Sequence, residues 1–343
     1  MEKREIKIVQ FPHSYREHDV SRCYHEGTNG HIMEWREMRD AHARKFMKAK
    51  GQIVVNGKLS APTDLLFWGE WEADSRFKKL PQDGKGCGPK WLHEPLLDRG
   101  KPNRVPEGNI DCDCEGRGTC MGKSHPDVKK VSEPYSLQNT DPLVFGDCFL
   151  YSLCRQFKRK RKSKTEYEQR QMAKLAPGSI VLFGSRLPET EGCFCFLLDA
   201  VFVVGDCRQF LTGNASKDLK GFVPDDYFDI MHFENCSEIN VSLTCYKGVT
   251  FEQSLDPQYQ INGMYSFVPC RPYNGDTGFE RPRLYAKHFV DIGEELVITE
   301  NLCRTVKGTI VTEERARRFW ECVCKIISDQ GFEKGVNLRY ETK

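Results

Sequence analysis

Two apolar runs in the middle of the chain place the strongest constraint on its fold. SIVLFGS covers residues 179–185, and CFCFLLDAVFVVGD covers residues 193–206. Both runs are rich in the β-branched and aromatic residues that favour strands, and a short polar stretch separates them. They predict two strands joined by a polar turn.

Other segments carry weaker signals of regular structure. IKIVQF, residues 6–11, reads as a first strand, and Asn56-Gly57 between short apolar runs predicts a type I′ hairpin turn. A helix is expected from about Gly30 to Lys50, because apolar residues recur there every three or four positions. TEYEQRQMAKLAPG, from Thr165, predicts a short helix that ends at Pro177-Gly178.

The C-terminal part of the chain carries a complete helix signal. Thr312 is a suitable N-cap, and Glu313 and Glu314 complement the helix dipole in the first turn. Gly331 is expected to end the helix.

Length and charge set only broad limits. The 343 residues suffice for one large domain or two ordinary ones. Lys and Arg number 51 and Asp and Glu 49, so the net charge of +2 neither requires nor excludes a polyanionic partner.

The N-terminus lacks an apolar signal-peptide core, and no apolar run reaches the roughly 18 residues of a membrane span. We therefore expect a cytoplasmic protein without membrane association, in which most of the 16 cysteines are free thiols.

The chain divides into three parts by its pattern. Residues 1–75 read as the N-terminal half of the core, and residues 136–343 as its remainder with the C-terminal helix. Residues 76–135 are rich in Pro, Gly and charge and show little periodicity. So long a stretch is unusual inside a compact domain, which predicts an inserted, loop-rich region.

The stretch LLFWGEWEADS, residues 65–75, carries the densest group of functional side chains. Strand alternation puts Trp68, Glu70 and Glu72 on one face and Trp71 on the other. An indole can stack on a flat ligand while carboxylates bind the ligand's edge, as in the recognition of single-stranded or flipped bases. The alternative is a strand packed under a loop with its glutamates in solvent.

Two further loops offer candidate ligand-binding residues. In NTDPLVFGD, residues 139–147, Asn139 and Asp141 could read a polar ligand edge with Phe145 nearby, or they could simply build a turn before Pro142. His13 and His18 lie in the loop FPHSYREH, where either could assist a carboxylate in acid–base chemistry.

Four cysteines in the polar region could bind a structural zinc ion. Cys87, Cys112, Cys114 and Cys120 supply four sulfur ligands, the number that a tetrahedral site needs. Their spacing departs from the usual C-x2-C pairs, so free thiols remain the alternative.

A basic run follows the second loop. Lys158, Arg159, Lys160, Arg161 and Lys162 could neutralise nucleic-acid phosphates, although most such runs are solvated loops. No P-loop, dinucleotide-binding glycine motif, HExxH, GxSxG or zinc-deaminase signature occurs in the chain.

The order helix, LAPGSIVLFGS, polar turn and CFCFLLDAVFVVGD resembles PUA-like domains of the EVE and ASCH kind. The likeness covers about 40 residues, and Ser179 stands where those domains carry an acidic residue after the glycine. The resemblance implies an α+β fold with a curved, mixed or antiparallel sheet that closes toward a barrel, with flanking helices and the inserted polar region. The blocks FPH, FWGEWE, NTDPLVFGD and SFVPCRP also resemble the signature of an uncharacterised bacterial family.

These patterns lead to two functional hypotheses. The first is a nucleotide or nucleic-acid binding module that reads a modified base, in bacterial nucleic-acid modification or defence. The second is a hydrolase acting on a nucleotide or nucleoside derivative, with Glu70 or Asp141 as the acid–base group. A structural protein stabilised by zinc is the third alternative. The sequence does not determine the ligand or the oligomeric state.

Overall fold

The structure is a computed structural model, and strands dominate it. It describes residues 4–13, 16–17, 31–33, 43–73, 75–82, 88–97, 140–159, 167–190, 193–231, 241–259, 261, 263–275, 277–293 and 307–342. Within these ranges, no helix is both long and apolar enough to cross a membrane.

The strands are numbered in chain order. Those of the first half are β1 (Lys7–His13), β2 (His31–Met33), β3 (Lys45–Val55), β4 (Lys58–Leu59), β5 (Thr63–Gly69), β6 (Ser75–Lys79), β7 (Trp91–Leu97), β8 (Leu150–Tyr151), β9 (Phe157–Arg159) and β10 (Tyr167–Gln169). Those of the second half are β11 (Ile180–Thr190), β12 (Cys193–Leu211), β13 (Ser242–Gly248), β14 (Val268–Pro272), β15 (Arg283–Leu284), β16 (Lys307–Ile310), β17 (Glu333–Arg339) and β18 (Glu341–Thr342).

Helices are few and mostly short. The α-helices are α1 (Ala215–Asp218), α2 (Asp226–Met231), α3 (Phe251–Ser254) and α4 (Glu313–Asp329). Short 3-10 helices cover Gln171–Lys174, Thr212–Asn214, Pro257–Tyr259 and Ala286–Ile292.

The first sheet has the order β16-β1-β11-β12-β13-β8, with β15 also paired to β12. β1 and β11 run parallel, in a register that sets His13 beside Ser185. β11 and β12 form a long antiparallel hairpin. The two strands predicted from the apolar runs are therefore confirmed, and β1 confirms the predicted first strand.

The second sheet has the order β17-β14-β5-β3-β7-β6-β2, with β4 paired to β3 and β18 to β7. β3 is its centre, because β5 pairs antiparallel to it and β7 parallel to it. β3 and β4 are joined at Asn56 and Gly57, whose φ angles of 50° and 71° confirm the predicted type I′ turn.

The two sheets are joined by a backbone bridge and share their cores. Val201 of β12 and Phe267, just before β14, exchange two backbone hydrogen bonds of 2.9 Å each. Two hydrophobic clusters each contain side chains from both sheets. One includes Phe11, Phe183, Phe67 and Trp71, and the other includes Leu182, Leu66, Trp68 and Phe319. The sheets therefore fold around common cores.

The C-terminal helix α4 is as predicted. The Thr312 side chain accepts a hydrogen bond from the backbone N–H of Arg315, as an N-cap does. Its buried face, Ala316, Phe319, Val323 and Ile327, packs into the second of the two clusters. Gly331, with φ of 74°, follows the C-cap residue Gln330, a position where a left-handed residue is usual.

Two predicted helices are wrong. Residues 45–50, predicted as the end of a helix, form the start of β3, and residues 31–33 form β2. β3 pairs with strands on both sides, so tertiary pairing overrides the local helix-like spacing. The short helix predicted over 165–178 is instead β10 followed by the 3-10 helix Gln171–Lys174.

The fold is α+β with curved sheets, in agreement with the coarse expectation. Closure toward a PUA-like barrel stays a prediction. β7 and all of β6 except its first residue, Ser75, lie within the region predicted as an insertion, so the second sheet extends into it. Residues 98–139 lie outside the described part of the chain.

Candidate functional site

Five buried charged or titratable side chains meet where several strands end. We call them the charge cluster, and they are His13, Arg44, Glu70, Asp199 and Arg281. Their side chains are 10%, 1%, 1%, 2% and 5% exposed, in that order. Buried charges are costly unless they are paired, so their collection at one place requires an explanation.

Strand register brings three of these residues together. His13 is the last residue of β1, Arg44 directly precedes β3, and Glu70 directly follows β5. β3 and β5 are paired so that Lys45 lies opposite Gly69. Arg44 and Glu70 are therefore cross-strand neighbours just beyond the paired residues, and both lie beside the end of β1.

A β-bulge positions Asp199, the fourth residue of the charge cluster. Phe183 pairs with Ala200 and Gly184 pairs with Leu198, which leaves Asp199 as the extra residue of β12. Bulges of this kind re-aim a side chain and are common beside active sites. A Cβ on Gly184 would lie 2.1 Å from the backbone oxygen of Leu197, so only glycine fits opposite the bulge.

The contacts within the charge cluster connect all five side chains. Glu70 Oε2 lies 2.7 Å from both Arg44 Nη2 and His13 Nδ1. Arg44 Nη1 lies 3.4 Å from one carboxylate oxygen of Asp199, and Arg281 Nη1 lies 3.4 Å from the other. Arg281 Nη1 also donates to Ser185 Oγ at 2.8 Å, and its guanidinium lies 5.1 Å from the Trp68 ring centroid.

The cluster is balanced in charge and keeps His13 neutral. Burial lowers the pKa of His13, Arg44 lowers it further, and the opposing effect of Glu70 does not restore it. Burial alone would lower the pKa of Arg44, but the carboxylates of Glu70 and Asp199 raise it above its usual value. Two guanidinium groups thus face two carboxylates, with an uncharged imidazole at one end.

Nδ1 of His13 has two contacts, which favour opposite tautomers. Arg44 Nη2, at 2.5 Å, can only donate a hydrogen bond to it, whereas an ionised Glu70 carboxylate, at 2.7 Å, can only accept one from it. In the tautomer that donates from Nδ1 to Glu70, Nε2 presents a lone pair, and it makes no hydrogen bond to any described residue. A neutral histidine in this state can take up a proton from a substrate or a water molecule.

Two aromatic rings pack against His13, and an arginine lies beyond one of them. The Phe11 ring lies 4.8 Å from the His13 ring, edge to face, and the Phe183 ring lies 6.4 Å away. The guanidinium of Arg155 lies 5.9 Å from the Phe11 ring. Apolar walls of this kind exclude water and strengthen the electrostatic interactions inside them.

Both tryptophans of the predicted site are buried. The Trp68 indole N–H donates to the backbone oxygen of Phe279 at 2.8 Å, and its ring packs 5.4 Å from Phe46. Trp71 is fully buried beside Phe145, with ring centroids 5.0 Å apart. Neither indole has an open face here, so base stacking by Trp68 or Trp71 stays a prediction.

Glu72 lies near a second buried cation. Its backbone N–H donates to Thr140 Oγ1 at 3.0 Å, and its carboxylate is close enough to Lys45 to raise the pKa of that amine. Burial has the larger effect and lowers the pKa of Lys45 to about 7. Glu72 therefore belongs to the buried interior and is not solvated.

Asp141 organises the loop that follows β8. Its carboxylate accepts the backbone N–H groups of Ser152, Leu153 and Cys154 at 3.0, 2.5 and 2.7 Å. Burial raises the pKa of Asp141 to about 7, although these three hydrogen bonds oppose the shift. Its observed contacts position the loop at residues 152–154, while the turn before Pro142 and a role in catalysis stay predictions.

Several predicted site residues lie outside the described residues. They are His18, Asn139, Lys160, Arg161, Lys162, Cys87, Cys112, Cys114 and Cys120. Lys158 and Arg159 belong to β9, where Lys158 Nζ lies 2.5 Å from Glu168 of β10. Among the residues with described positions, no group of three or more potential ligands could hold a metal ion, and the zinc site stays a prediction.

Sequence reasoning missed Arg44, Asp199 and Arg281. The one signal was Asp199, a lone carboxylate inside the apolar run of β12. A charge at such a position must find a partner, but the sequence does not identify that partner.

No protein-family model matches this chain, and neither a curated protein nor a solved structure matches it. The resemblance to PUA-like domains therefore stays a prediction, and functional inference must come from the geometry of the charge cluster.

Proposed function

We propose that the protein is a hydrolase that acts on a nucleotide or nucleoside derivative, with His13 as its general base. One observation carries this proposal: His13 Nδ1 lies 2.7 Å from the buried carboxylate of Glu70, while Nε2 makes no hydrogen bond to a described residue. A carboxylate that orients a histidine in this way is the recurring device of acid–base catalysis.

The proposed step transfers a proton through His13. A water molecule donates a proton to Nε2 as its oxygen forms a bond to the electrophilic carbon or phosphorus of the substrate. The imidazolium that forms is stabilised by the Glu70 carboxylate, which also accepts a hydrogen bond from Arg44 at 2.7 Å. The imidazolium then returns the proton to the leaving group as the scissile bond breaks, so that His13 ends the cycle neutral.

One feature supports a nucleotide derivative as the substrate. The guanidinium of Arg155 lies 5.9 Å from the Phe11 ring, which packs against His13, and Lys158 of the basic run lies three residues further along the chain. Cationic groups of this kind bind the phosphates of nucleotides. The rings of Phe11 and Phe183 are fully buried, so the support comes from the charged groups.

A nucleic-acid binding module is the second candidate. The observation that favours it is the β9-β10 ribbon, because the Lys158 side chain is 52% exposed at the start of the basic run. A binder of this kind would hold nucleic acid without consuming it, and its affinity would fall steeply with salt.

Turnover of defined compounds tests the proposal. The protein is incubated in ¹⁸O-labelled water with the four common ribonucleosides, their 5′-mono- and triphosphates and single-stranded oligonucleotides, and products are identified by mass spectrometry. We expect one class to be consumed with uptake of ¹⁸O, and His13→Gln to lose this activity by about 10²-fold or more.

His288→Gln is the matched control, because His288 lies on the 3-10 helix Ala286–Ile292 and is not part of the charge cluster. Undiminished turnover in His13→Gln would overturn the proposed role of His13. Oligonucleotide binding without turnover of any compound would favour the binding module.

A further inference from the structure

Asp199 connects the two arginines of the charge cluster. Its side chain is buried, and each of its carboxylate oxygens faces a different guanidinium group. Oδ2 lies 3.4 Å from Arg44 Nη1, and Oδ1 lies 3.4 Å from Arg281 Nη1. A buried carboxylate between two arginines could be a structural bridge, or it could control what one of these arginines does elsewhere in the cluster.

The place of Asp199 in the fold ties it to the His13 site. Asp199 is the extra residue of the bulge in β12, a feature that re-aims a side chain. Its partner Arg281 also donates to Ser185 Oγ at 2.8 Å, and Ser185 pairs with His13 between β11 and β1. Asp199 is therefore anchored beside the strand ends that carry the site.

Arg44 links Asp199 to His13. Its Nη2 atom lies 2.7 Å from Glu70 Oε2 and 2.5 Å from His13 Nδ1, while its Nη1 atom faces Asp199. A guanidinium group is planar and rigid, so a contact at one of its nitrogens constrains where the hydrogens of the other nitrogen point. Asp199 thus influences whether an Nη2 hydrogen is directed at Glu70 or at His13.

The direction of that hydrogen determines which nitrogen of His13 carries the proton. A hydrogen bond from Arg44 to Nδ1 requires the proton on Nε2, whereas a hydrogen bond from Nδ1 to Glu70 leaves the lone pair on Nε2. Without the Asp199 carboxylate, the Nη1 side of Arg44 would need another acceptor, because a buried N–H without one is costly. Glu70 and His13 Nδ1 are acceptors within its reach.

We propose that Asp199 is a positioning residue: by accepting from Arg44, it favours the tautomer in which His13 Nδ1 donates to Glu70. This inference rests on the proposed function, because that tautomer has the Nε2 lone pair that a general base needs. Asp199 acts only through Arg44 and takes no part in the proton transfer.

The test measures the tautomer of His13 by ¹⁵N NMR of its imidazole ring, in the whole chain and at alkaline pH, where the ring is neutral. Protonated and unprotonated ring nitrogens differ in ¹⁵N chemical shift, so the measurement needs neither substrate nor turnover. In the wild type we expect the proton on Nδ1.

Asp199→Asn is the first variant, because asparagine has nearly the same shape but can accept from only one of the two arginines. We expect the ratio of the Nδ1–H to the Nε2–H tautomer to fall about tenfold, the size expected when one charge-assisted hydrogen bond is weakened. For any compound that the wild type turns over, kcat/KM should fall by a similar factor.

The double variant Asp199→Leu with Arg281→Met provides a second test if Asp199→Asn does not fold. It removes one carboxylate and one guanidinium together, so Arg44 and Glu70 remain as a balanced pair. Replacing a buried ion pair by apolar residues of similar volume is often neutral for stability. A purely structural bridge predicts the wild-type tautomer in this variant, whereas we expect the shift toward Nε2–H.

Two variants serve as controls. Arg281→Met alone leaves the contact between Asp199 and Arg44 in place. Asp218→Asn makes the same substitution at a carboxylate that accepts the backbone N–H of Leu211 at 3.0 Å, at the far end of β12. Both should keep the wild-type tautomer.

The proposal is overturned if His13 keeps the Nδ1–H tautomer in either Asp199 variant, or if Arg281→Met alone shifts the tautomer as strongly as the double variant. A wild type with the His13 proton on Nε2 would also overturn it. The NMR measurement is independent of turnover, so a failure of the proposed hydrolytic activity would be seen separately, in the His13→Gln assay.

Discussion

At the scale of single residues, the proposed chemistry depends on the pair His13 and Glu70. Both were candidates from the sequence, His13 for its place in a loop after a strand and Glu70 for its place among tryptophans. Their contact was not predictable, because it depends on β1 and β5 belonging to different sheets that share a core. Arg44 and Arg281 carried no sequence signal, because charged residues are common and only burial makes these two unusual.

The effect of Glu70 on His13 gives a prediction in pH. Burial lowers the pKa of His13 and Glu70 raises it, so removing the charge of Glu70 should lower it further. The proposed activity requires the neutral base, so it should be lost as pH falls through the pKa of His13, which burial places below the usual histidine value. Glu70→Gln should move this midpoint to lower pH and decrease the plateau rate by about 10²- to 10⁴-fold, because Nδ1–H is no longer held by a carboxylate.

The measurement is kcat/KM against pH, together with NMR titration of the His13 ring, which needs no substrate. Glu189→Gln is the control, because Glu189 pairs with Arg283 at 2.6 Å and is not part of the charge cluster. A midpoint that moves to higher pH in Glu70→Gln would contradict the assigned contact.

At the scale of secondary-structure elements, the sequence correctly predicted the strands and the helix whose own residues favour that type of structure. β11 and β12 follow from their apolar, β-branched composition, and α4 follows from its N-cap and the glutamates of its first turn. β3 was predicted as a helix, because a strand at the centre of a sheet depends on partners that are distant in sequence. The bulge at Asp199 could likewise not be predicted from the sequence, because it depends on the pairing of β12 with β11.

The bulge leads to a prediction about Gly184. A Cβ at this position would meet the Leu197 backbone oxygen at 2.1 Å and the Phe196 ring at 2.6 Å, and backbone cannot move aside cheaply. Gly184→Ala should therefore destabilise the protein by roughly 2 kcal/mol or more, measured by urea unfolding. In Gly88→Ala, where a Cβ meets nothing within 4 Å, the change should stay within about 0.5 kcal/mol. Equal stability of the two variants would show that the bulge does not require glycine.

At the scale of the whole molecule, buried polar residues connect the two sheets. The charge cluster joins β1, β11 and β12 of the first sheet to residues that flank β3 and β5 of the second. Lys45, beside Arg44, is fully buried among residues of the second sheet. A solely apolar interface would be easier to stabilise, so the retention of these groups fits a functional role better than a structural one.

Lys45 makes the stability of the whole molecule depend on pH in a predictable direction. Its pKa falls from 10.5 to about 7 on folding, mainly through burial, so between these values the unfolded chain binds more protons than the folded one. Its contribution to the free energy of unfolding should therefore rise as pH increases from 7 to 10, by on the order of 3 kcal/mol.

The measurement is the difference in unfolding free energy between wild type and Lys45→Met at each pH, which cancels the titration of groups common to both proteins. Lys325→Met, at a side chain that is 78% exposed, should give a difference that is flat over the same range. A flat difference for Lys45→Met as well would mean that Lys45 keeps its charge in the folded protein, and that Glu72 and Glu70 stabilise the buried ammonium more strongly than burial destabilises it.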